Sequence, residues 1–216
     1  MNDRYDRLRE LEVPLVILIG GATGTGKSTV ATQIAYRLGI TRLTSTDSIR
    51  QTMRAFFSHE FMPSIHYSSF EAGAAVQDAD DPLVAGFLEQ SRNVLVGVRA
   101  SIERALQEGW SIILEGVHIV PGLLPTYLEG ALVCPFILAI EDETTHAQHF
   151  FSRGSGRRPL APYLDHFEEI RRLQRFLAER AEREAVPVIE NESADETTDK
   201  VIRHVLAAAA KYEAHV

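Results

Sequence analysis

A glycine-rich stretch at positions 21–28, GATGTGKS, contains the residue types that hold a phosphate chain. It fits the spacing G-x-x-x-x-G-K-[ST] at every defined position. Glycines let backbone N–H groups turn toward phosphate oxygens, the Lys27 amine reaches the β- and γ-phosphates, and the Ser28 hydroxyl is a ligand for Mg²⁺. No other lysine precedes Lys200 in the chain. The stretch predicts a nucleotide-binding loop made of Gly21, Ala22, Thr23, Gly24, Thr25, Gly26, Lys27, Ser28 and Thr29.

The segments around this loop predict the elements that position it. The apolar run at 15–19 has the length of a buried strand, and apolar residues after the loop recur at helical spacing. Four further strands are predicted, over 41–46, 111–114, 132–140 and 186–189, and helical patterns alternate with them. This alternation predicts an α/β fold of the P-loop type, with a five-stranded parallel sheet, helices on both faces and a helical lid.

The length of 216 residues predicts a single domain. Three of its parts are expected to lie outside the sheet and its covering helices. They are an N-terminal arm over 1–12, a substrate-side loop over about 58–82, and a lid over about 150–163.

Polar side chains follow three of the predicted strands, where parallel sheets bind ligands. Asp47, after the second strand, is predicted to orient or deprotonate an acceptor hydroxyl, with a helix cap as the alternative. Glu115, after the third strand, is predicted to hold Mg²⁺ together with Ser28 or to bind a substrate hydroxyl. An ordinary strand-end carboxylate is its alternative. His118 is predicted as a substrate contact, and a structural histidine is an equally good interpretation.

Arginines near the end of a polar helix predicted over 141–158 form a candidate lid. Arg153, Arg157 and Arg158 bracket two glycines, and guanidinium groups suit phosphate oxygens. Arg153 and Arg157 are therefore predicted to offset charge on a transferring phosphoryl group, the alternative being a solvated helix end. The arginines of 171–183 are interleaved with glutamates at helical spacing, which favours a solvated face, with Arg171 as the candidate exception.

A second set of cationic and polar residues predicts an anionic acceptor. Arg50 and Arg54 lie at i and i+4 on the helix predicted after the second strand, and so share one face. His66, Ser68 and Ser69 add imidazole and hydroxyl groups from the substrate-side loop. Together they could bind the phosphate and carboxylate of a small phosphorylated acid.

Charge and composition exclude several classes. A net charge of −8 argues against non-specific nucleic-acid binding, which needs a basic face. The one cysteine, Cys134, lies in an apolar run and is predicted to be a buried, inert thiol. No signal peptide or long apolar stretch is visible, which predicts a cytoplasmic protein without membrane contact. The oligomeric state stays open.

Six segments, in chain order, carry a family resemblance: GGATGTGKSTVA, STDSIRQTMR, the turn at 66–69, SIILEGVHIVPG, HFEEIRRLQRFL and VPVIEN. Together they resemble the catalytic domain of 2-phosphoglycerate kinases, over about residues 14–205. The resemblance implies ATP and Mg²⁺, with transfer of the γ-phosphoryl group to the 3-hydroxyl of 2-phosphoglycerate to give 2,3-bisphosphoglycerate. It places Asp47, Arg50, the turn at 66–69 and residues 115–118 on the acceptor side.

Archaeal members of that family usually carry an N-terminal ATP-cone module. About a dozen residues precede the first predicted strand here, so the chain is expected to be the bare kinase domain. Two alternatives remain open at this point. One is a P-loop kinase with another acceptor, such as a nucleotide sugar, a sugar acid or a nucleic-acid 5′ end. The other is a regulatory switch that binds and hydrolyses nucleotide without an acceptor.

Overall fold

A five-stranded parallel sheet forms the centre of the structure, a computed structural model that describes residues 8, 11–76, 78–153 and 161–214. Its strands are β1 (Leu15–Gly20), β2 (Arg42–Ser45), β3 (Ile112–Glu115), β4 (Leu132–Ala139) and β5 (Val188–Glu190). Their spatial order is β2-β3-β1-β4-β5, and every neighbouring pair is parallel. The predicted sheet is confirmed, and its carboxyl ends share one edge.

Seven α-helices connect or cover the described strands. They are α1 (Lys27–Leu38), α2 (Thr46–Phe56), α3 (Pro82–Gln107), α4 (Glu143–Arg153), α5 (Ala161–Asp165), α6 (Phe167–Arg183) and α7 (Ala194–Glu213). The predicted substrate-side loop contains two short 3₁₀ helices, Pro63–His66 and Ala72–Ala75. The helix predicted over 141–158 is described as far as Arg153, and residues 154–160 lie outside the described part.

Side chains of β1 alternate between the two faces of the sheet, as the period of a strand requires. Ile17 packs with α1 and α7, whereas Leu18 packs with α3 on the opposite face. A third apolar cluster lies between α3, α6 and the carboxyl half of β4. Burial of Cys134 in β4 raises the pKa of its thiol to about 12, which confirms the prediction of an inert cysteine. The central strands β1 and β3 are thus buried on both faces, whereas the edge strands β2 and β5 are partly exposed.

The helix α2 begins differently from the prediction. Ser45 is its N-cap, because the Ser45 hydroxyl accepts a hydrogen bond from Ser48 N. Asp47 therefore lies in the first turn, where a carboxylate favours the positive end of the helix. The cap alternative for Asp47 was wrong, and its side chain is left exposed beside the sheet edge. Phe56, the last residue of this helix, is 79% exposed.

At the opposite, amino-terminal end of the sheet, the single tryptophan of the chain is partly exposed. The Arg42 guanidinium lies over the Trp110 ring, 3.8 Å from its centre. Arg42 begins β2 and Trp110 precedes β3, so this cation–π contact ties the edge strand to its neighbour. Within the part of the chain that is described, none of the helices combines the length and the apolar character that crossing a bilayer demands.

Candidate active site

The glycine-rich loop joins the end of β1 to the start of α1. Gly24 has φ +92°, and a Cβ placed there would lie 2.5 Å from Cζ of Phe150 on α4. Both the backbone angle and the close ring require glycine at this position. The loop is therefore packed tightly against a helix more than a hundred residues away in sequence.

Side chains from distant segments fix the outward-facing carbonyl groups of this loop. His146 Nε2 donates to Thr23 O at 2.8 Å, and His149 Nδ1 donates to Gly24 O at 3.1 Å. Asn191 Nδ2 donates to Thr25 O at 2.8 Å. Because three successive carbonyl groups are held by these side chains, the path of the loop backbone is fixed by contacts with α4 and the end of β5.

His146 is held as a neutral imidazole. Burial lowers its pKa to about 4, and the positive charge of Arg171 acts in the same direction, although the bond to Thr23 O opposes it. Since Nε2 carries the proton, Nδ1 is unprotonated and faces Arg171 Nη1 at 3.3 Å. Arg171 is itself buried and donates to Ile140 O and Glu141 O. Arg171 is thus the predicted exception to the solvated face of residues 171–183. Its guanidinium group anchors the segment that follows β4.

Lys27 and Ser28 begin α1 at the mouth of the loop. Lys27 Nζ donates to Ala22 O at 2.7 Å, so its ammonium group lies within the loop itself. Ser28 Oγ donates to Glu115 Oε1 at 2.9 Å, across 87 positions of sequence. Glu115 is the last residue of β3 and is buried. The predicted pair of metal ligands is thus side by side, with oxygen atoms that suit Mg²⁺.

Asp47 lies at the neighbouring strand end, after β2. Its side chain is 64% exposed, and its Oδ1 atom is 3.3 Å from Arg50 Nε. The strand order places β3, and therefore Glu115, between β2 and the loop after β1. The carboxylate predicted to serve the acceptor and the residues predicted to hold nucleotide consequently lie along one edge.

The arginines predicted to share a phosphate site have different surroundings. Arg50 Nη1 donates to Ile65 O at 3.0 Å and Tyr67 O at 2.8 Å, so its guanidinium group holds backbone. Arg54 is exposed and donates to the side chain of Gln51. The structure therefore does not bring these two guanidinium groups together on one anion site.

The other predicted acceptor residues lie on the turn that Arg50 holds. His66 Nε2 donates to Phe57 O at 3.0 Å and is half-buried. Ser68 is also half-buried, and Ser69 is 7% exposed. We call residues 63–69 the acceptor turn. Its polar groups belong to one short segment next to α2, as predicted.

His118 does not face open space. The side chain is fully buried, with Nδ1 2.8 Å from Thr46 Oγ1 and Nε2 3.0 Å from Gln90 Oε1. Burial lowers its pKa to about 4; the Asp47 carboxylate opposes this, while Arg50 and Lys27 lower the pKa further. Direct contact with a substrate does not fit this geometry, since both ring nitrogens are already used. The structural interpretation is the one that the contacts favour.

The remaining residues to place are the arginines of the predicted lid and the residues of the site that the sequence did not reveal. Arg157 and Arg158 lie outside the described residues, and of Arg153 the structure describes only its place at the end of α4. Four residues that the sequence did not reveal are His146, His149, Asn191 and Gln90. Each holds a backbone carbonyl group of the site, and no motif marks them because their roles depend on tertiary contacts.

The fold and loop together define a P-loop kinase. Solved structures with the same fold include TT1252 from Thermus thermophilus (TM-score 0.55, 20% identity, 91% of this chain and 98% of that one). Another is a shikimate kinase from Acinetobacter baumannii (TM-score 0.51, 15% identity, 93% of this chain and 97% of that one). No protein-family model matches the chain.

Curated relatives give the family. A 2-phosphoglycerate kinase of Methanopyrus kandleri is 41% identical over 222 residues, which cover 99% of this chain and 68% of the relative. Those of Pyrococcus horikoshii and Methanothermobacter thermautotrophicus are also 41% identical, over 94% and 96% of this chain and 67% and 70% of theirs. The chain belongs to the 2-phosphoglycerate kinase family, and it is an ATP-dependent phosphotransferase.

Proposed function

We propose that this protein transfers the γ-phosphoryl group of ATP to the free hydroxyl of 2-phosphoglycerate, giving ADP and 2,3-bisphosphoglycerate. The observation that carries the proposal is the contact between Ser28 and Glu115 beside Asp47, at one edge of the sheet. Membership of the family supports the acceptor, because the relatives named above are 2-phosphoglycerate kinases.

The residues present fit a magnesium–nucleotide complex. The loop offers inward N–H groups, and Lys27 adds a positive charge within reach of the phosphate chain. Ser28 would ligate Mg²⁺ directly, and Glu115 would hold it directly or through a bound water. When bound, the metal ion neutralises charge on the β- and γ-phosphates. Mg²⁺ commonly binds through one or two protein oxygens plus phosphates and water, which is what this pair provides.

A cavity of about 530 Å³ next to the loop suits the base of the nucleotide. It lies beyond β4 and β5, beside Asn191, and carboxylates of Glu190 and Glu192 line it. Carboxylates accept hydrogen bonds and do not donate them. The exocyclic amines of adenine and guanine are both donors, so this lining suits a purine base of either kind.

The transfer itself needs an oriented hydroxyl and a place for its proton. The acceptor oxygen forms a bond to the γ-phosphorus as the bond between that phosphorus and the β,γ-bridging oxygen breaks. The hydroxyl proton passes to the Asp47 carboxylate and then to solvent, and ADP leaves. Arg50 holds Asp47 Oδ1, so the carboxylate keeps its direction toward the acceptor side.

The test is ADP release by the purified chain with Mg-ATP and a panel of acceptors. The panel contains 2-phosphoglycerate, 3-phosphoglycerate, glycerate, gluconate, a nucleotide sugar and a sample without acceptor. We expect strong stimulation by 2-phosphoglycerate, and ³¹P NMR of the product should show two phosphomonoester signals. Ser28→Ala is the control for the nucleotide site.

Two results would change the conclusion. Stimulation by a different acceptor would keep the kinase and reassign the acceptor turn. An equal rate of ADP release in all samples, with and without acceptor, would contradict the proposal and favour a nucleotide-dependent switch.

A further inference from the structure

A buried chain of hydrogen bonds joins the residue next to Asp47 to the acceptor turn. It runs from Thr46 to His118 and then to Gln90, whose Nε2 atom donates to Ser64 O at 2.5 Å and to Tyr67 O at 3.0 Å. The side chains of Thr46, His118 and Gln90 are all fully buried. Buried polar groups of this kind cost free energy unless every one is paired, so the chain is a specific structure rather than a chance contact.

The donor and the acceptor of each hydrogen bond in this chain follow from the two carbonyl groups at its end. Carbonyl oxygens only accept, so the amide nitrogen of Gln90 must face the acceptor turn and its oxygen must face His118. His118 Nε2 therefore carries the proton, and in a neutral ring Nδ1 accepts. The Thr46 hydroxyl must then donate to Nδ1. One arrangement of protons satisfies all three side chains.

A second connection closes this chain into a ring. Tyr67 O, which accepts from Gln90, also accepts from Arg50 Nη1 at 2.8 Å, and Arg50 Nε is 3.3 Å from Asp47 Oδ1. Asp47 follows Thr46 in the chain, so the path returns to its start. Gly116, which directly follows β3, packs closely against this ring: a Cβ placed there would clash with Thr46 Oγ1.

We propose that Gln90 is a positioning residue for the acceptor, which sets the acceptor turn relative to Asp47 through this ring. It acts through Tyr67 O and His118 and does not touch the acceptor. The inference rests on the proposed function for the identity of the acceptor only. A loss of Gln90 then weakens acceptor binding and transfer, while the loop after β1 and its nucleotide are unaffected.

The variant Gln90→Glu breaks the ring with little change of shape. The Glu side chain still accepts from His118, but its other oxygen faces two carbonyl oxygens, to which it donates no bond when ionised and only one when protonated. Asn93→Asp is the matched control, since Asn93 Nδ2 donates to the Ser64 hydroxyl at 3.0 Å from the same helix. A hydroxyl can turn and donate to a carboxylate, so this control keeps its hydrogen bond.

We expect Gln90→Glu to raise the KM for the acceptor about tenfold or more and to change the KM for ATP less than about twofold. Asn93→Asp should change both by less than about twofold. At the other end of the chain, Thr46→Val should reproduce the acceptor defect, and Thr46→Ser should restore the wild-type KM because it keeps the hydroxyl. The double variant of Gln90 and Thr46 should be less than additive.

Hydrogen exchange gives a readout that does not depend on the acceptor. Backbone amides of residues 63–70 should exchange faster in Gln90→Glu than in the wild type, while amides of residues 21–29 stay unchanged. If the wild type fails to use 2-phosphoglycerate, the proposed function is wrong, and this measurement still tests the ring. Equal effects of Gln90→Glu on ATP and acceptor, or an acceptor KM no different from that of Asn93→Asp, would overturn the inference. If Gln90→Glu does not fold, the Thr46 pair decides by the same criteria.

Discussion

The nucleotide and acceptor halves of the candidate site are assembled from the chain in different ways. On the proposed nucleotide side, the groups that we assign to the phosphate chain are contiguous in sequence, from Gly21 to Thr29, and side chains from distant segments hold carbonyl groups of this loop. On the proposed acceptor side, the residues that we assign come from α2, α3, the acceptor turn and the segment after β3. A sequence motif can therefore predict the nucleotide half, whereas the residues of the acceptor half come together only in the folded chain.

The largest effect is expected from a substitution in the glycine-rich loop on the nucleotide side. Lys27→Ala deletes the positive charge within the loop and should lower kcat about a thousandfold, because the developing charge on the phosphate chain loses its nearest cation. Steady-state ADP release measures it. Lys200→Ala, on α7, is the control for loss of a lysine and should keep wild-type activity. Wild-type turnover in Lys27→Ala would contradict the assignment of the loop.

The next effect belongs to the acceptor half. Asp47→Asn keeps an oxygen for Arg50 but loses the basic carboxylate, so kcat should fall about a hundredfold or more with little change in the affinity for ATP. Parallel measurements of kcat and of nucleotide binding by calorimetry separate the two quantities. A large loss of ATP affinity would instead assign Asp47 to the metal ion or to the fold.

A third variant, Asn191→Asp, is the counterpart of Gln90→Glu on the nucleotide side. Asn191→Asp turns a donor toward Thr25 O into a second acceptor, while the Thr197 hydroxyl still donates to the remaining oxygen. The KM for ATP should rise about tenfold and that for the acceptor should stay near the wild-type value. Opposite KM patterns in Asn191→Asp and Gln90→Glu would show that the two halves of the site are held in place separately. Identical patterns would show that they are not.

The smallest effect is a dependence of stability on pH that both halves share. The pKa values of His118 and His146 are lowered from 6.5 to about 4 in the folded chain. Below about pH 6.5 the unfolded chain binds a proton at each position that the folded chain does not, so the free energy of unfolding falls as pH falls toward about 4.

Urea unfolding between pH 7 and pH 4 measures this dependence. His118→Asn and His146→Asn should each remove about one proton from the slope, and the double variant about two. A slope that is the same in the wild type and the double variant would show that neither imidazole is held neutral in the folded state.

The sequence predicted the sheet and the loop because their signals are local. An apolar run, glycines at fixed spacing and a helical period need no knowledge of distant contacts. The alternative that Asp47 caps α2 was wrong because Ser45, Asp47 and Ser48 are all good caps, and only the point where β2 ends selects Ser45. His118 could not be resolved from sequence, because its partners Thr46 and Gln90 lie 72 and 28 positions away.

The same argument explains the residues that were not found. Gln90, His146 and Asn191 are ordinary polar residues in a helix, a second helix and a strand end, where polar residues are usually solvated. What distinguishes them is a carbonyl group at hydrogen-bonding distance, which exists only after the sheet has formed. Arg50 shows the converse, since its guanidinium group was predicted to face an anion and instead holds two carbonyl groups.

The position of the tryptophan has a practical consequence for spectroscopy. Trp110 is the single tryptophan of the chain and stacks with Arg42 at the amino-terminal end of the sheet, while the residues proposed to bind nucleotide and acceptor lie at the carboxyl end. Its fluorescence emission will follow the detachment of the edge strand β2 during denaturation. Because Trp110 lies at the opposite end of the sheet from both proposed ligand sites, the same signal can be recorded with both ligands present, which makes it a direct optical measure of ligand-induced stabilisation.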